Sequence, residues 1–478
     1  MADRDLLRAL RQAVGAEHVL TAVEDRLCHS HDATFRDALP DLVVSPGSTA
    51  EVAAVVRLAA AHRVPLTPRG AASGLSGGAV PLHGGIALSL TRLDRILAID
   101  VAGRRAVVEP GVVTAAQAAA AWEAGLFYPP DPASARMSTV GGNVAECAGG
   151  PRGLKYGVTR DYVLALEVVL PDGTVAEVGD PLDGEGCGPD WAMLLVGSEG
   201  TLGIVTRITL RLVGRPAAQR TALAIFDRLD DAAAAVSATI AAGVVPTTLE
   251  LMDGATLRAV EAYLHAGLPT DAEAALLVEL DGTPGAVEAQ LRQVDEAFRR
   301  QGARDVQVAG SPADVERLWR ARRAISAACG QLNPTKISED ATVPRSRVPA
   351  LVREVGEIAR RHGVKMVVFG HAGDGNLHPN VLTNRDDPAE MERAEAAIGD
   401  LFAAALALGG TLSGEHGIGC MKAPWLEREL GAAGMALGRG VKEALDPAGL
   451  LNPGKMFTFG AAPVAPPREP GQTGWHAA

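Results

Sequence analysis

Apolar residues in this chain fall into short runs separated by glycine and proline, and the runs change period along the sequence. Residues 41–45 form a brief continuous apolar stretch, the pattern of a buried strand. Ser48-Thr-Ala-Glu51 follows as a capping box, and Val52, Val55, Val56 and Ala59 then recur at helical spacing. A strand is predicted at 64–67, and a helix with one apolar face at 4–15. Residues 163–170 read as a strand, Pro171-Asp-Gly173 as its turn and 174–178 as the returning strand. From 217 to 330, Ala-rich helical stretches alternate with candidate strands at 249–251 and 275–280, an α+β arrangement. Residues 318–325 read as helix, with Arg320, Arg322 and Arg323 beside Trp319. Three arginines in one turn are usually a solvated face. Residues 336–344 are strand-like and end in a proline. Asp387-Pro-Ala-Glu390 starts a helix that Gly409-Gly410 ends, and 411–413 is a short strand.

At 478 residues the chain exceeds one ordinary core, so two or three domains are expected. A net charge of −12 argues against nucleic-acid binding and suits an enzyme that catches an anionic substrate with local positive groups. The five cysteines are scattered with no C-x-x-C, which points to a reducing compartment and argues against an iron–sulfur motif in this chain. No apolar run is long enough to span a bilayer, and Asp3 and Asp5 make the first helix unlike a presequence, so a cytoplasmic protein is expected. Cys28-His-Ser-His-Asp32 contains ligand-type residues but is assigned to surface structure. Cys147 and Cys420 are assigned to packing.

Chemistry enters first through glycine. Pro68-Arg-Gly-Ala-Ala-Ser-Gly-Leu-Ser-Gly-Gly-Ala-Val-Pro81 lets the backbone approach a ligand and aim N–H groups inward, as a pyrophosphate requires. The spacing is not G-x-G-x-x-G, which disfavours a nicotinamide Rossmann site. Ser138-Thr-Val-Gly-Gly-Asn143 and Gly197-Ser-Glu-Gly-Thr-Leu-Gly-Ile204 are two further small-residue loops. Three such loops joined by short strands suit one long ligand of dinucleotide shape. A run from Gly449 to Lys455 imitates a P-loop, but Met456 stands where a hydroxyl must bind magnesium and Pro453 has no N–H.

The second chemical signal is His371-Ala-Gly-Asp-Gly-Asn-Leu-His378 with Ser413-Gly-Glu-His-Gly-Ile-Gly419. Asp374-Gly375 is a strong two-residue hairpin turn, which would pair Gly373 with Asn376, Ala372 with Leu377 and His371 with His378. Directly opposed side chains share a face at roughly 5 Å, so both imidazoles could reach one ion. Glu415 would add an oxygen ligand and leave positions open, as a catalytic metal site requires. Asn380 alternates with His378 and shares its face.

Over residues 40–212 the three glycine loops resemble, in order and spacing, the FAD domain of the vanillyl-alcohol oxidase and p-cresol methylhydroxylase type. With the two histidine motifs the resemblance extends to the FAD-linked 2-hydroxyacid dehydrogenases, up to about residue 458. That family includes glycolate oxidase FAD subunits and the D-lactate and D-2-hydroxyglutarate dehydrogenases. The resemblance implies an α+β fold: a two-subdomain FAD-binding domain at 1–214 and an α+β cap holding substrate and metal at 215–440. A C-terminal segment at 441–460 would return to the FAD domain, with a disordered tail at 461–478. FAD would be held by Pro68, Arg69, Gly70, Ala71, Ala72, Ser73, Gly74, Leu75 and Ser76, by Asp131 and Ser134, and by Ser138, Thr139, Gly141, Gly142 and Asn143. Glu199, Gly200, Gly203, Ile204 and Asn452 would complete the set. Ser73 stands about where covalent members carry a histidine, so the resemblance implies non-covalent FAD. Ala72-Ser73 replaces the commoner Gly-Thr.

By the same resemblance His371, His378 and Glu415 hold one divalent metal, zinc first, manganese or iron otherwise. Asn380 touches substrate, His416 is the base, Arg322 clamps the carboxylate and Lys336 assists. Lys336 stands further from Pro344 than in the dicarboxylate-oxidising members. The implied reaction oxidises a D-2-hydroxy acid to the 2-oxo acid, with glycolate or D-lactate ahead of D-2-hydroxyglutarate. Hydride goes to the flavin, and electrons pass to an electron-transfer flavoprotein, a quinone or an iron–sulfur subunit. Such a chain would be a homodimer or part of a hetero-oligomer, cytoplasmic or held at a membrane by a partner. Two other readings share the fold: an alkyl-dihydroxyacetone-phosphate-synthase-like transferase, and a non-catalytic electron-transfer subunit. The intact two-His, Glu-His set argues against both.

Overall fold

The computed structural model describes residues 4–180 and 190–458. The tail expected at 461–478 lies outside the described residues. Contacts divide the chain into two units. The first takes residues up to Ala148, then Val158–Gly214, then the chain from His416 onward. The second takes Gly149–Gly157 and Arg215–Glu415. The return to the first unit therefore begins at His416, earlier than the 441 expected from sequence, and a short piece of the glycine-rich region belongs to the second unit.

In the first unit a four-stranded sheet runs in the order Val19–Leu20, Leu42–Val44, Ile86–Ser89, Leu66–Arg69. The last three strands are parallel, and the apolar runs Leu42–Val44 and 86–88 are buried along their whole length. The predicted helix is Thr49–His62, and Val52, Val55, Val56 and Ala59 are buried as their spacing requires. Ser48 accepts from the N–H of Glu51, but the Glu51 carboxylate reaches Gly47 N–H, one residue before the position a capping box uses. A second, antiparallel sheet runs Ile96–Asp100, Arg105–Val108, Ile204–Arg211, Val163–Val169, Val175–Gly179. Its last pair is the predicted hairpin, with Gly173 at φ 81° in the turn.

The returning segment is tied down by buried charge. From helix Leu426–Leu445, the Lys442 ammonium donates to Thr201 O at 2.6 Å, Leu451 O at 2.8 Å and the Asp446 carboxylate at 2.5 Å. Asp446→Ala leaves that ammonium buried without its counter-charge. We expect a loss of about 3–5 kcal/mol, read as a lowered midpoint in thermal or denaturant unfolding. A midpoint equal to the parent's would show that the pair contributes little.

In the second unit one large sheet runs Ala303–Val308, Ala218–Phe226, Ala274–Gly282, Thr248–Asp253, Lys365–His371, Asn376–Thr383, Thr335–Ser338. Neighbours along this order are antiparallel. Ala341–Thr342 also pairs with Asn376–Thr383. Alternate residues enter two cores. Phe226, Leu276 and Val278 pack with helices Leu229–Ala241, Pro284–Arg300, Val348–His362 and Pro388–Ala407. Ile225, Ala275 and Leu277 pack with helices Gly254–Leu264, Pro312–Arg323 and Ile325–Cys329. Helices thus cover both faces, so the central strands carry apolar residues without alternation.

Candidate metal and flavin sites

The histidine hairpin differs in register from the sequence reading. His371 pairs with Asn376, Gly370 with Leu377 and Phe369 with His378, so the turn spans four residues, 372–375, instead of two. Hydrogen bonds account for the wider turn. Gly373 N–H is drawn to Leu249 O on the neighbouring strand, and Gly375 N–H closes on Ala372 O. Gly375 has φ 91° and lies so close to Val343 O that a Cβ would stand 2.0 Å from it. The slip totals two positions, so the face is preserved. His371 and His378 become diagonal neighbours on one face, ring centroids 4.9 Å apart.

Both imidazoles point their Nε2 atoms at one oxygen. Glu415 Oε1 is 2.9 Å from His371 and 3.3 Å from His378. Among the described residues this is the group of His, Cys, Asp and Glu placed to hold an ion, its ligand atoms within 4.8 Å of one another. Ligands about 2.0–2.2 Å from zinc at tetrahedral angles stand roughly 3.3 Å apart, so the donor set fits a divalent ion. Glu415 is fixed through its backbone. Asp340, fully buried, accepts from Ser413 Oγ and from the N–H groups of Gly414 and Glu415. A Cβ on Gly414 would strike Thr342 Oγ1 at 2.2 Å. Asn376 Oδ1, buried on the strand carrying His378, has no hydrogen-bond partner among the described residues, a vacant acceptor beside the set.

The electrostatics favour a cation. Burial alone would lower the His371 pKa, but Glu250 and Glu415 on either side hold it well above the ordinary imidazole value. Glu415 is opposed by burial yet held well below the carboxylate range by the two histidines. His378 is lowered, chiefly by burial. The second carboxylate, Glu250, is a residue the sequence reading passed over. It lies on strand Thr248–Asp253, fully buried, with Oε1 2.6 Å from His371 Nδ1. Leu249-Glu250-Leu251 has the alternation of a half-buried strand, so the burial of Glu250 follows from the helices on both faces of the sheet and not from local sequence.

The other substrate candidates are held by protein partners. Arg322 is buried, with Nε 2.6 Å and Nη2 2.5 Å from Glu250 Oε2, and its guanidinium lies 5.4 Å from the Phe369 ring centroid. It is the one arginine of its turn facing inward; Arg320 and Arg323 are exposed. Asn380 is fully buried. Its amide donates to His378 O, and its Oδ1 accepts from Ser338 Oγ and, at 3.2 Å, from Lys336 Nζ. Burial lowers the Lys336 pKa. His416, half-buried, follows Glu415 directly in sequence and opens the returning segment of the first unit. The Cys28–Asp32 cluster forms no metal set: Asp32 accepts from Thr34, and His29 Nδ1 lies 2.7 Å from Asp25 O.

In the first unit the three glycine loops meet. A Cβ on Gly70 would stand 2.2 Å from Thr139 Oγ1, on Gly200 2.4 Å from Pro68, and on Gly203 2.6 Å from Val168. A Cβ on Gly141 would stand 2.4 Å from Pro110. At Gly74 it would meet nothing nearer among the described residues than Glu146 Oε1 at 3.6 Å, so packing alone does not demand glycine there. Residues 71–75, including Ala71, Ala72, Ser73 and Leu75, retain exposure, while Ser76 is buried and donates to Glu146. Asp131 and Ser134 are partly exposed and lead into the second loop.

Several side chains in these loops serve the fold. Arg69 donates to His29 O, and Ser138 and Asn143 both turn to Thr114. Thr139 caps the short helix Val140–Glu146 by accepting from Gly142 N–H. Glu199 accepts from the N–H groups of Ile418 and Gly419, both at 2.7 Å, and burial pushes its pKa up to about 7. Asn452 donates to Gly78 O and Glu199 O, and Ile204, itself buried, begins the half-buried strand Ile204–Arg211.

Comparison with known proteins defines the class. Residues 215–456 match the C-terminal domain of FAD-linked oxidases, and residues 40–179 match an FAD binding domain. The fold is that of p-cresol methylhydroxylase, with a TM-score of 0.79 at 16% identity over 95% of this chain and 96% of that one. The chain belongs to the FAD-linked oxidase family, an FAD-binding oxidoreductase. It is 44% identical to the glycolate oxidase subunit GlcD of Bacillus subtilis, over 96% of this chain and 97% of that protein. It is 38% identical to a D-2-hydroxyglutarate dehydrogenase of Xanthomonas citri (95% and 98% covered). It is 36% identical to a D-lactate dehydrogenase of Anaerostipes hadrus (91% and 93% covered). Among the described residues no helix is long and apolar enough to cross a membrane.

Proposed function

We propose that the protein oxidises a small D-2-hydroxy acid to the 2-oxo acid, with glycolate and D-lactate as first substrates and D-2-hydroxyglutarate next. The observation that carries this reading is the His371–His378–Glu415 set, whose spacing fits one divalent ion. A bound ion supplies Lewis acidity that lowers the pKa of a chelated hydroxyl, and non-covalent FAD supplies a hydride acceptor. The protein's own residues do the rest. His416 takes the hydroxyl proton, and Arg322 offers the guanidinium edge not engaged by Glu250 to the substrate carboxylate. Asn380 and Lys336 form the polar strand face beside His378. Zinc suits two imidazoles and a carboxylate, and manganese and iron accept the same donors. Bound FAD would supply the redox chemistry, and the reading includes a separate electron acceptor. The subunit names of the glycolate oxidase relatives support the presence of a partner chain.

The test is an anaerobic visible spectrum of the purified protein before and after each acid. Glycolate or D-lactate is expected to bleach the flavin band, L-lactate is not, and chelation is expected to abolish bleaching. A flavin band that none of the acids bleaches would overturn the reading.

A further inference from the structure

Glu250 lies between two groups to which the proposed reaction gives different tasks. Its Oε1 meets His371 Nδ1 at 2.6 Å, and its Oε2 meets Arg322 Nε and Nη2 at 2.6 and 2.5 Å. The carboxylate is fully buried on the central strand Thr248–Asp253, and the arginine side chain is almost as enclosed. An ionised carboxylate only accepts hydrogen bonds. His371 must therefore keep a proton on Nδ1, so the nitrogen that can give up its proton to take an ion is Nε2, on the side of Glu415. The same carboxylate fixes the guanidinium by two of its N–H groups, and the Phe369 ring bounds the guanidinium as well. The opposite edge is thereby given one orientation.

We infer that Glu250 is a positioning residue that sets, through its two oxygens, both the metal-binding tautomer of His371 and the pose of Arg322. Metal affinity and recognition of the substrate carboxylate then share one buried side chain. The inference rests on the metal reading above and deepens it. Partners that orient ligating histidines in this way typically change metal affinity about 10- to 100-fold.

Two variants test it in the full-length, FAD-loaded protein. Glu250→Gln keeps the shape but must turn its NH₂ toward either His371 or Arg322. Zinc affinity, measured by competition with a chelator in the absence of substrate, is expected to fall about 10- to 100-fold. KM for the hydroxy acid is expected to rise, and FAD content to stay at the parental level. Arg322→Met removes only the second partner, so KM is expected to rise while zinc affinity stays within about threefold of the parent, far short of that loss. This split separates positioning from general loosening of a buried cluster. A Glu250→Gln protein with parental zinc affinity would overturn the inference, as would an Arg322→Met protein that loses zinc equally.

Should the glutamine variant fail to retain FAD, ¹⁵N-histidine spectra of the zinc-loaded parent decide the matter. A protonated Nδ1 on His371 supports the inference, and a bare Nδ1 overturns it. A parent protein that binds FAD but no zinc, manganese or cobalt would sink the metal reading itself. A parent that binds zinc beside a glutamine variant that binds it equally well sinks only the role of Glu250.

Discussion

His378→Ala is expected to release the divalent ion and to lower kcat/KM for the hydroxy acid about a thousandfold, with FAD still bound. The magnitude follows from a Lewis acid's several kcal/mol of charge stabilisation, at about 1.4 kcal/mol per factor of ten. His378 is the cleaner ligand to remove. Losing His371 would also strip Glu250 of a partner within a fully buried pair, so stability and chemistry would change together. His378 lies 3.3 Å from Glu415 on the far strand of the hairpin, outside the ion pair between Glu250 and Arg322. Metal analysis and steady-state rates on one preparation check the prediction. A variant that loses the ion yet turns over at the parental rate would remove the metal from the mechanism.

The second large effect is expected at His416. His416→Gln should slow flavin reduction by the hydroxy acid about 10²- to 10⁴-fold, the range for loss of a positioned general base. FAD and metal content should remain at parental levels. The loop after it is held by backbone: Glu199 accepts from Ile418 and Gly419, and Gly417 and Gly419 take φ of 86° and 50°. The substitution therefore alters the imidazole without releasing the turn. Anaerobic stopped-flow mixing reads the step directly. A glutamine variant that reduces its flavin within tenfold of the parent would move the base elsewhere.

Local spacing carried much of this site into the sequence. The glycine loops, the two histidines and Glu415 are legible because small residues, or residues of ligand type, recur at short fixed offsets within each motif. The hairpin was read two residues out of register. Asp374-Gly375 does favour a tight turn, but the pull of Leu249 O on Gly373 comes from a strand more than a hundred residues away. The face survived because the error was even. Arg322 shows a different limit. Its helical turn carries three arginines, and only the partner on strand Thr248–Asp253 distinguishes the buried one. Glu250 lies between Leu249 and Leu251 in the predicted strand, and nothing local reveals its two buried partners. Glu199, implied by resemblance to hold cofactor, turns its carboxylate to a loop more than two hundred residues later, a pairing no local pattern reveals.

The early return of the chain at His416 has a consequence in time. A ribosome delivers residues in order, and the second unit is complete once Glu415 has emerged. The first unit is not. Val80 O receives the Lys455 ammonium, Thr201 O that of Lys442, and Gly78 O the Asn452 amide, all from the last stretch of the first unit to be made. Domains tend to fold as units during synthesis, so the later-encoded unit can finish first while the flavin loops wait. A nascent chain halted near 415 would then have completed the unit that carries His371, His378 and Glu415 before the unit that carries the glycine loops.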